Sequence, residues 1–403
     1  MRNRWVVLLA AMIVALGCQP KSAEKSSGGA ASGGDILVGE YGSLSGPQAT
    51  FGTSTHQAII LAADEINAAG GINGRKIKIV TEDDESKSDQ AVTAVTKLIS
   101  QSNVVAVLGE VASSASIAAG PICNSNKVPM ISPSSTNPAV TKTGKYIFRT
   151  CFTDDYQGKY IAEFGARWCE QSGKPKTAAI LTDIRNDYSV GLTAIIERVF
   201  TSMGGKIVSK ASYSNGDSDF RSQFTTIKGS NPSLIFVPGY YTDVGQMARQ
   251  RLDLGITQPL VGGDGWESPK LIEIGGPALN GCFYTNHYVA DDPAPVVHNF
   301  VTKYQERWHA KPDAMAALGF DATHVLAEAM KRAKKLDGPT LRDAIAETKG
   351  YPGVTGLITI GADRNPVDKR IVVVEVQNGE LHLKATADPH VNGGAMQLVG
   401  GTH

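Results

Sequence analysis

Three short stretches of this chain carry side chains that could hold a small charged molecule. Ser113-Ser114 follow the apolar run Val104–Leu108 and stand where a strand passes into a helix. Hydroxyls and free backbone N–H groups at a helix start form an anion site, although a serine there most often only caps its own helix. Ser134-Ser135-Thr136 follow the next apolar run, Val128–Ser132. Two such clusters on one lip offer several neutral donors to a carboxylate. Asp264 stands between Gly263 and Gly265, after the apolar Pro259–Gly262. Glycines there let the backbone approach a ligand whose ammonium the carboxylate would pair with; the alternative is a plain tight turn that Asp264 caps. Aromatic residues lie near these loops: Phe51, Tyr188, Tyr240, Tyr241, Trp266 and Phe320. Tyr240-Tyr241 directly follow a strand and Pro238-Gly239, which fits a rim, whereas Phe320 fits the buried side of a helix.

The same residues lack the partners that catalysis needs. No G-x-S-x-G, P-loop, H-E-x-x-H or G-x-G-x-x-G accompanies the serines. The eight histidines fall away from the inferred lip, and no motif places one as a general base. Basic and acidic residues balance at 39 each, which gives no general attraction to nucleic acid. No spacing asks for a metal or a cofactor. A binding protein is the first reading, and a ligand sensor serving a separate signalling partner is the alternative.

The elements that must position these loops alternate between strand and helix. Ile36–Tyr41 is an apolar strand, and Thr55–Ala69 carries Ile59, Ala62, Ala63 and Ile66 at helical spacing until Gly70-Gly71 stops it. Strands over Arg75–Thr81, Val104–Leu108, Val128–Ser132 and Tyr146–Thr150 follow, with helices between them. The order restarts at Thr177–Leu181. The pattern predicts an α/β chain of two doubly wound parallel-sheet lobes joined by a multi-crossover hinge. The lobes are expected over 36–153 plus 285–355 and over 154–284 plus 356–385. Residues 386–403 are expected to form a polar, Gly-rich tail without a role. A length of 403 residues, 42% of them hydrophobic and 19% charged, fits two such domains.

The N-terminus is a different material. Arg2 and Arg4 precede the twelve-residue apolar run Trp5–Leu16, which suits a secretory signal over residues 1–17. Ala15-Leu16-Gly17-Cys18 resembles a lipobox with Cys18 as the diacylated residue; ordinary cleavage is the other reading. Residues 18–35 are rich in Gly, Ser and Ala and read as a flexible tether. Cys123, Cys151, Cys169 and Cys282 match neither a zinc spacing nor C-x-x-C; export permits disulfides among them, with no connectivity that the sequence gives, and buried free thiols are the preferred reading.

One ordered set of motifs runs through residues 36–378: S-G-P-x-A-x-F-G, A-A-D-E-I-N-A-A-G-G-I-N-G, S-S, S-P-S-S-T-N-P, F-R-T and G-G-D-G-W. With this set the chain resembles the branched-chain amino-acid-binding proteins of ABC importers, which have the type I periplasmic binding protein fold. The resemblance implies an exported protein that closes on an amino acid and serves membrane permease subunits. It implies that Ser114, with Ser113 beside it, and Thr136 hold the ligand carboxylate. By the same resemblance the Ser134 carbonyl is expected to take the amine together with Asp264, where well-known members carry Glu. The resemblance also implies that Phe51, Tyr188, Tyr240 and Phe320 correspond to the ring positions of the family pocket, and Trp266 follows the acid. Amides, urea, short peptides and aromatic acids are the other ligand classes to weigh.

Overall fold

A computed structural model of the chain describes residues 34–399. The expected leader, Cys18 and nearly all of the expected tether lie outside the described residues. The first sheet takes β1 (Ile36–Gly42), β2 (Ile77–Asp83), β3 (Ala106–Leu108), β4 (Met130–Ser132) and β5 (Ile147–Arg149), all parallel, in the order β2-β1-β3-β4-β5. Side chains alternate across it with the period of a strand. Ala106, Leu108, Ile131 and Phe148 face one layer of helices, while Val107, Met130 and Ile147 face the other. A sheet covered on both faces needs runs that are apolar at every position, which is what these strands supply.

The second sheet takes β6 (Thr177–Asp183), β7 (Lys206–Tyr213), β8 (Leu234–Phe236), β9 (Leu260–Gly262) and β10 (Cys282–Asn286) as its parallel part. The strands β11 (Tyr351–Gly353), β12 (Gly356–Ile360) and β13 (Pro366–Val367) form a small antiparallel sheet of their own. The second sheet is then extended by β14 (Ile371–Gln377), β15 (Glu380–Ala387) and β16 (Gln397–Leu398), antiparallel to their neighbours.

Two sequence expectations change here. Gly356–Ile360 does not close the second lobe: Ile358 and Ile360 are buried with Ile36, Val38 and Ile59 in the first lobe's core. The return to the second lobe comes later, between β13 and β14. Residues 386–399 are not a free tail either. Ala387 ends β15, β16 pairs with β15, and the Tyr160 hydroxyl donates to the Gly394 carbonyl. Cys123, Cys151, Cys169 and Cys282 are free and buried.

The chain passes between the lobes after β5, after β10 and before β14. Buried polar groups pin the first and last of these crossings, the last through Thr355 of the first lobe. Arg149 donates to the Ser135 and Asn137 carbonyls at 2.5 and 2.7 Å. Asp321, on the helix Ala314–Arg332, accepts from the Val354 and Thr355 amides at 2.7 and 2.9 Å. Lys369 donates to the Thr355 carbonyl at 2.9 Å. Each orders a stretch of backbone that has no sheet partner at that point.

Candidate functional site

Loops beyond the carboxyl ends of both sheets face each other, as ligand loops do in open parallel sheets. Their lips touch. The helix Ala49–Ala68 starts six residues before the expected Thr55, which puts Phe51 in its first turn, edge-on to Tyr240 and Tyr241 at 5.6 and 4.9 Å. The Thr50 and Ser268 hydroxyls lie 2.8 Å apart, and the Tyr241 hydroxyl donates to the Pro47 carbonyl at 2.9 Å. Between the lips remains a cavity of about 10 Å³, the space of one water, lined by Phe51, Val111, Ser113, Ser134, Thr136, Tyr188, Tyr240, Asp264, Gly265 and Met315. A molecule of amino-acid size therefore enters only when the lobes part.

The structure thus brings together Phe51, Ser113, Ser134, Thr136, Tyr188, Tyr240 and Asp264 of the expected set. Three others lie elsewhere. Ser114 faces the opposite lobe, where its hydroxyl accepts from the Asp187 amide at 3.1 Å. Trp266 is wholly buried in the second lobe, its indole nitrogen donating to the Val237 carbonyl at 2.9 Å. Phe320 packs on Phe300 and His324 in the first lobe. Neither Ser113 nor Ser114 caps its own helix, Ser113–Ser125, which starts after an extended Ala112. The Ser113 hydroxyl instead accepts from the Asn137 amide at 3.2 Å and so joins the two hydroxyl loops.

The G-G-D-G-W turn is built on close approach. A Cβ on Gly262 would lie 2.2 Å from the Trp266 indole, one on Gly263 2.4 Å from the Tyr188 hydroxyl, and one on Gly265 2.8 Å from the Tyr240 ring. Each glycine makes room for a neighbouring ring. Tyr188 and Tyr240 stack with centroids 5.4 Å apart, and the Tyr188 hydroxyl accepts from the Gly265 amide at 3.2 Å.

Asp264 sits in the middle of this turn, 3% exposed. One of its carboxylate oxygens accepts from the Gln157 Nε2 at 3.0 Å and the other lies 2.9 Å from the His287 Nε2. The same Gln157 amide donates to Asp154 at 2.8 Å, while its oxygen accepts from the Asp264 amide at 3.3 Å and the Thr285 hydroxyl at 3.1 Å. Asp154 and Gln157 stand three apart on the first turn of the helix Asp154–Gln171, which sets them on one face. Burial, and then the charge of Asp264, push the Asp154 carboxyl up to about 7. Burial holds the His287 ring below its ordinary value.

Sequence reasoning places every histidine away from the lip. The structure overturns that for His287, which β10 and the crossing after it carry onto Asp264. Asp154, Gln157, Val111 and Met315 also went unmarked; of these, the D-x-x-Q pair at a helix start is a signal that pattern could have raised. Glu110, inside the G-E-V-A-S-S loop, is a further buried acid. It accepts from the Ser43 amide and hydroxyl at 3.0 and 3.1 Å and from the Ala112 amide, so it fixes the turn that presents Ser113. Burial and the nearby Asp84 push its carboxyl up to about 8.

Comparison with known proteins agrees with this architecture. The periplasmic binding protein family matches residues 35–380. An amino acid binding protein of Pseudomonas aeruginosa is 33% identical over 243 residues, 60% of this chain and 64% of that protein. The Leu/Ile/Val-binding protein BraC3 of Rhizobium johnstonii is 30% identical over 339 residues, 81% of this chain and 88% of the relative. The crystal structure of LivJ from Streptococcus pneumoniae, a branched-chain amino acid transporter substrate binding protein in complex with isoleucine, superposes with a TM-score of 0.82 at 32% identity. The match covers 88% of this chain and all of that one.

Asp154 holds its proton more tightly in the folded chain than in the unfolded one, where an aspartate titrates near ~3.9. The folded state therefore carries an extra proton between about pH 4 and 7, and the stability that proton confers is full at low pH and lost as pH rises through 7. Asp154→Asn is neutral at every pH and should be more stable than the parent at pH 8 by on the order of 4 kcal/mol, a gap that closes towards pH 4. Denaturant titrations at both pH values measure it. An equal loss of stability at both would mean that the carboxylate is needed for packing instead.

Proposed function

The chain belongs to the periplasmic binding protein family, and from that premise we propose that it captures a small amino acid with an apolar side chain, of the branched-chain type, between its lobes. It then hands the ligand to the permease subunits of an ABC importer. The observation that carries the ligand class is the polarity of the cavity. Neutral hydroxyls of Ser113 and Thr136 and the buried carboxylate of Asp264 line the same small space. Neutral donors satisfy a ligand carboxylate, and a buried anion wants a cation. An α-amino acid supplies both charges on adjacent groups. Phe51, Val111, Tyr188, Tyr240 and Met315 leave an apolar surround for its side chain. A benzoate-like acid or a neutral amide would leave Asp264 without a counter-charge. Capture requires no chemistry of the ligand, and the reading assigns the chain no catalysis.

Export is part of the same reading, with Cys18 diacylated and residues 18–35 as the tether between membrane and lobes. Two acyl chains anchor stably where one is marginal. Cys18→Ser should leave the membrane fraction while its folded domain still binds ligand, as fractionation and calorimetry on the released protein would measure. Wild-type protein found wholly soluble with an unmodified Cys18 contradicts the anchor.

The ligand class is tested at Asp264. Removing one partner of a buried ion pair costs on the order of 3–5 kcal/mol, roughly two to three and a half decades in affinity. Asp264→Asn should therefore nearly abolish binding of L-leucine. Thr136→Val should weaken it less, by about 1.5–3 kcal/mol, since it removes one hydrogen bond to a charged group that keeps others. Calorimetry on both variants reads the ranking. Full affinity in Asp264→Asn would make Asp264 a turn residue and favour a ligand without an ammonium.

A further inference from the structure

His287 has a fully buried side chain, yet it is not packed like an ordinary core histidine. Its ring lies flat on Phe152, with centroids 3.7 Å apart and planes within 16°. Its Nε2 meets Asp264 at 2.9 Å, and its Nδ1 has no hydrogen-bond partner. A neutral imidazole carries one N–H, and the acceptor beside Nε2 is a carboxylate, so that proton sits on Nε2. The bare Nδ1 is what a neutral ring leaves behind. Phe152 fixes the ring's plane, and Gln157 donates to the other carboxylate oxygen at 3.0 Å. Asp264 is thereby held from two sides by uncharged donors.

We propose that His287 is a positioning residue of the ammonium site: while neutral it aims Asp264 and leaves its charge for the ligand, and on protonation it takes that charge for itself, so that capture weakens in acid. This rests on the reading of Asp264 as the ammonium partner. The charged groups around the ring come from several elements. Asp264 and Glu267 lie on the loop after β9, with Glu267 bonded to the Asn286 amide at 2.9 Å. Asp154 reaches the network through Gln157, and Lys369 comes from the crossing before β14. Burial outweighs the pull of Asp264 on the ring, and Lys369 acts in the same direction as burial. The sign follows. Above the ring's midpoint the ligand ammonium meets an uncompensated carboxylate. Below it the ring and Asp264 pair with each other, and affinity should fall about tenfold per pH unit. By the same linkage, a bound ammonium makes the ring harder to protonate.

The test is the affinity for L-leucine from pH 7.5 to 5.0, by calorimetry, on wild type, His287→Gln and His287→Leu. The Asp154 titration is common to all three and cancels in the comparison. His287→Gln keeps a donor that cannot be charged, and should bind near the wild-type level at pH 7.5 while losing the extra decline in acid. His287→Leu removes the donor and should bind at least about tenfold more weakly throughout. In wild type, the ring Cε1 proton resonance gives the midpoint directly, and saturating L-leucine should lower it. A midpoint unmoved by L-leucine, or identical pH profiles in wild type and His287→Gln, overturns the proposal. Should either variant fail to fold, the resonance titration on wild type decides alone. Failure of the underlying reading looks different: wild type binds no L-leucine at any pH, or Asp264→Asn binds it undiminished.

Discussion

The carboxylate of Asp264, nearly removed from water, is held by a glutamine amide and a histidine ring, and among the described residues no lysine or arginine forms an ion pair with it. Burying an anion costs several kcal/mol unless hydrogen bonds or a counter-charge offset it. Two donors offset part of that cost and leave the charge standing. Those donors also explain why the site lies where it does. Gln157 comes from the segment that follows the first crossing, Thr285 from β10 and His287 from the start of the second crossing, and Asp264 from the turn after β9. One amide of Gln157 touches Asp154, Asp264 and Thr285 together. The segment after the first crossing and the buried carboxylate of the cavity are therefore a single hydrogen-bonded unit.

The lips are made of a different kind of contact. They meet through paired hydroxyls, aromatic edges and single bonds such as Asn137 Nδ2 to the Asp187 carbonyl at 2.7 Å. The hydroxyl and amide groups find water as partners when the lobes separate, so their share of opening costs little, and the exposed edge of Phe51 is the main penalty. The crossings find none: Asp321, Arg149 and Lys369 are buried and each is committed to backbone or hydroxyl partners. Separable lips on a pinned hinge are what a binding cleft requires if it is to open by rotation of whole lobes.

Much of this was legible in the sequence, for a physical reason. Strands buried on both faces must be apolar at every position, so Val104–Leu108 and Val128–Ser132 announce themselves, and the hydroxyl loops that follow them fall on one lip. What the sequence does not carry is direction and long-range pairing. Trp266 lies two residues after Asp264, but the short helical turn Asp264–Trp266 sends the indole into the core while the carboxylate faces the cavity. Adjacent Ser113 and Ser114 diverge in the same way on a helix. Gly356–Ile360 has the alternation of a strand, which says nothing about which sheet it joins. His287 meets its partner across 23 residues and Gln157 across 107, distances over which no local pattern speaks.

The account turns on where the ligand's two charges lie. A crystal structure of the protein with L-leucine decides it. The account predicts the ammonium nitrogen against the Asp264 carboxylate at about 2.7–2.9 Å, with the ligand carboxylate on the Ser113 and Thr136 hydroxyls and the side chain among Phe51, Tyr188 and Tyr240. A ligand whose ammonium contacts neither oxygen of Asp264, or whose carboxylate lies on that side of the cleft, would contradict it.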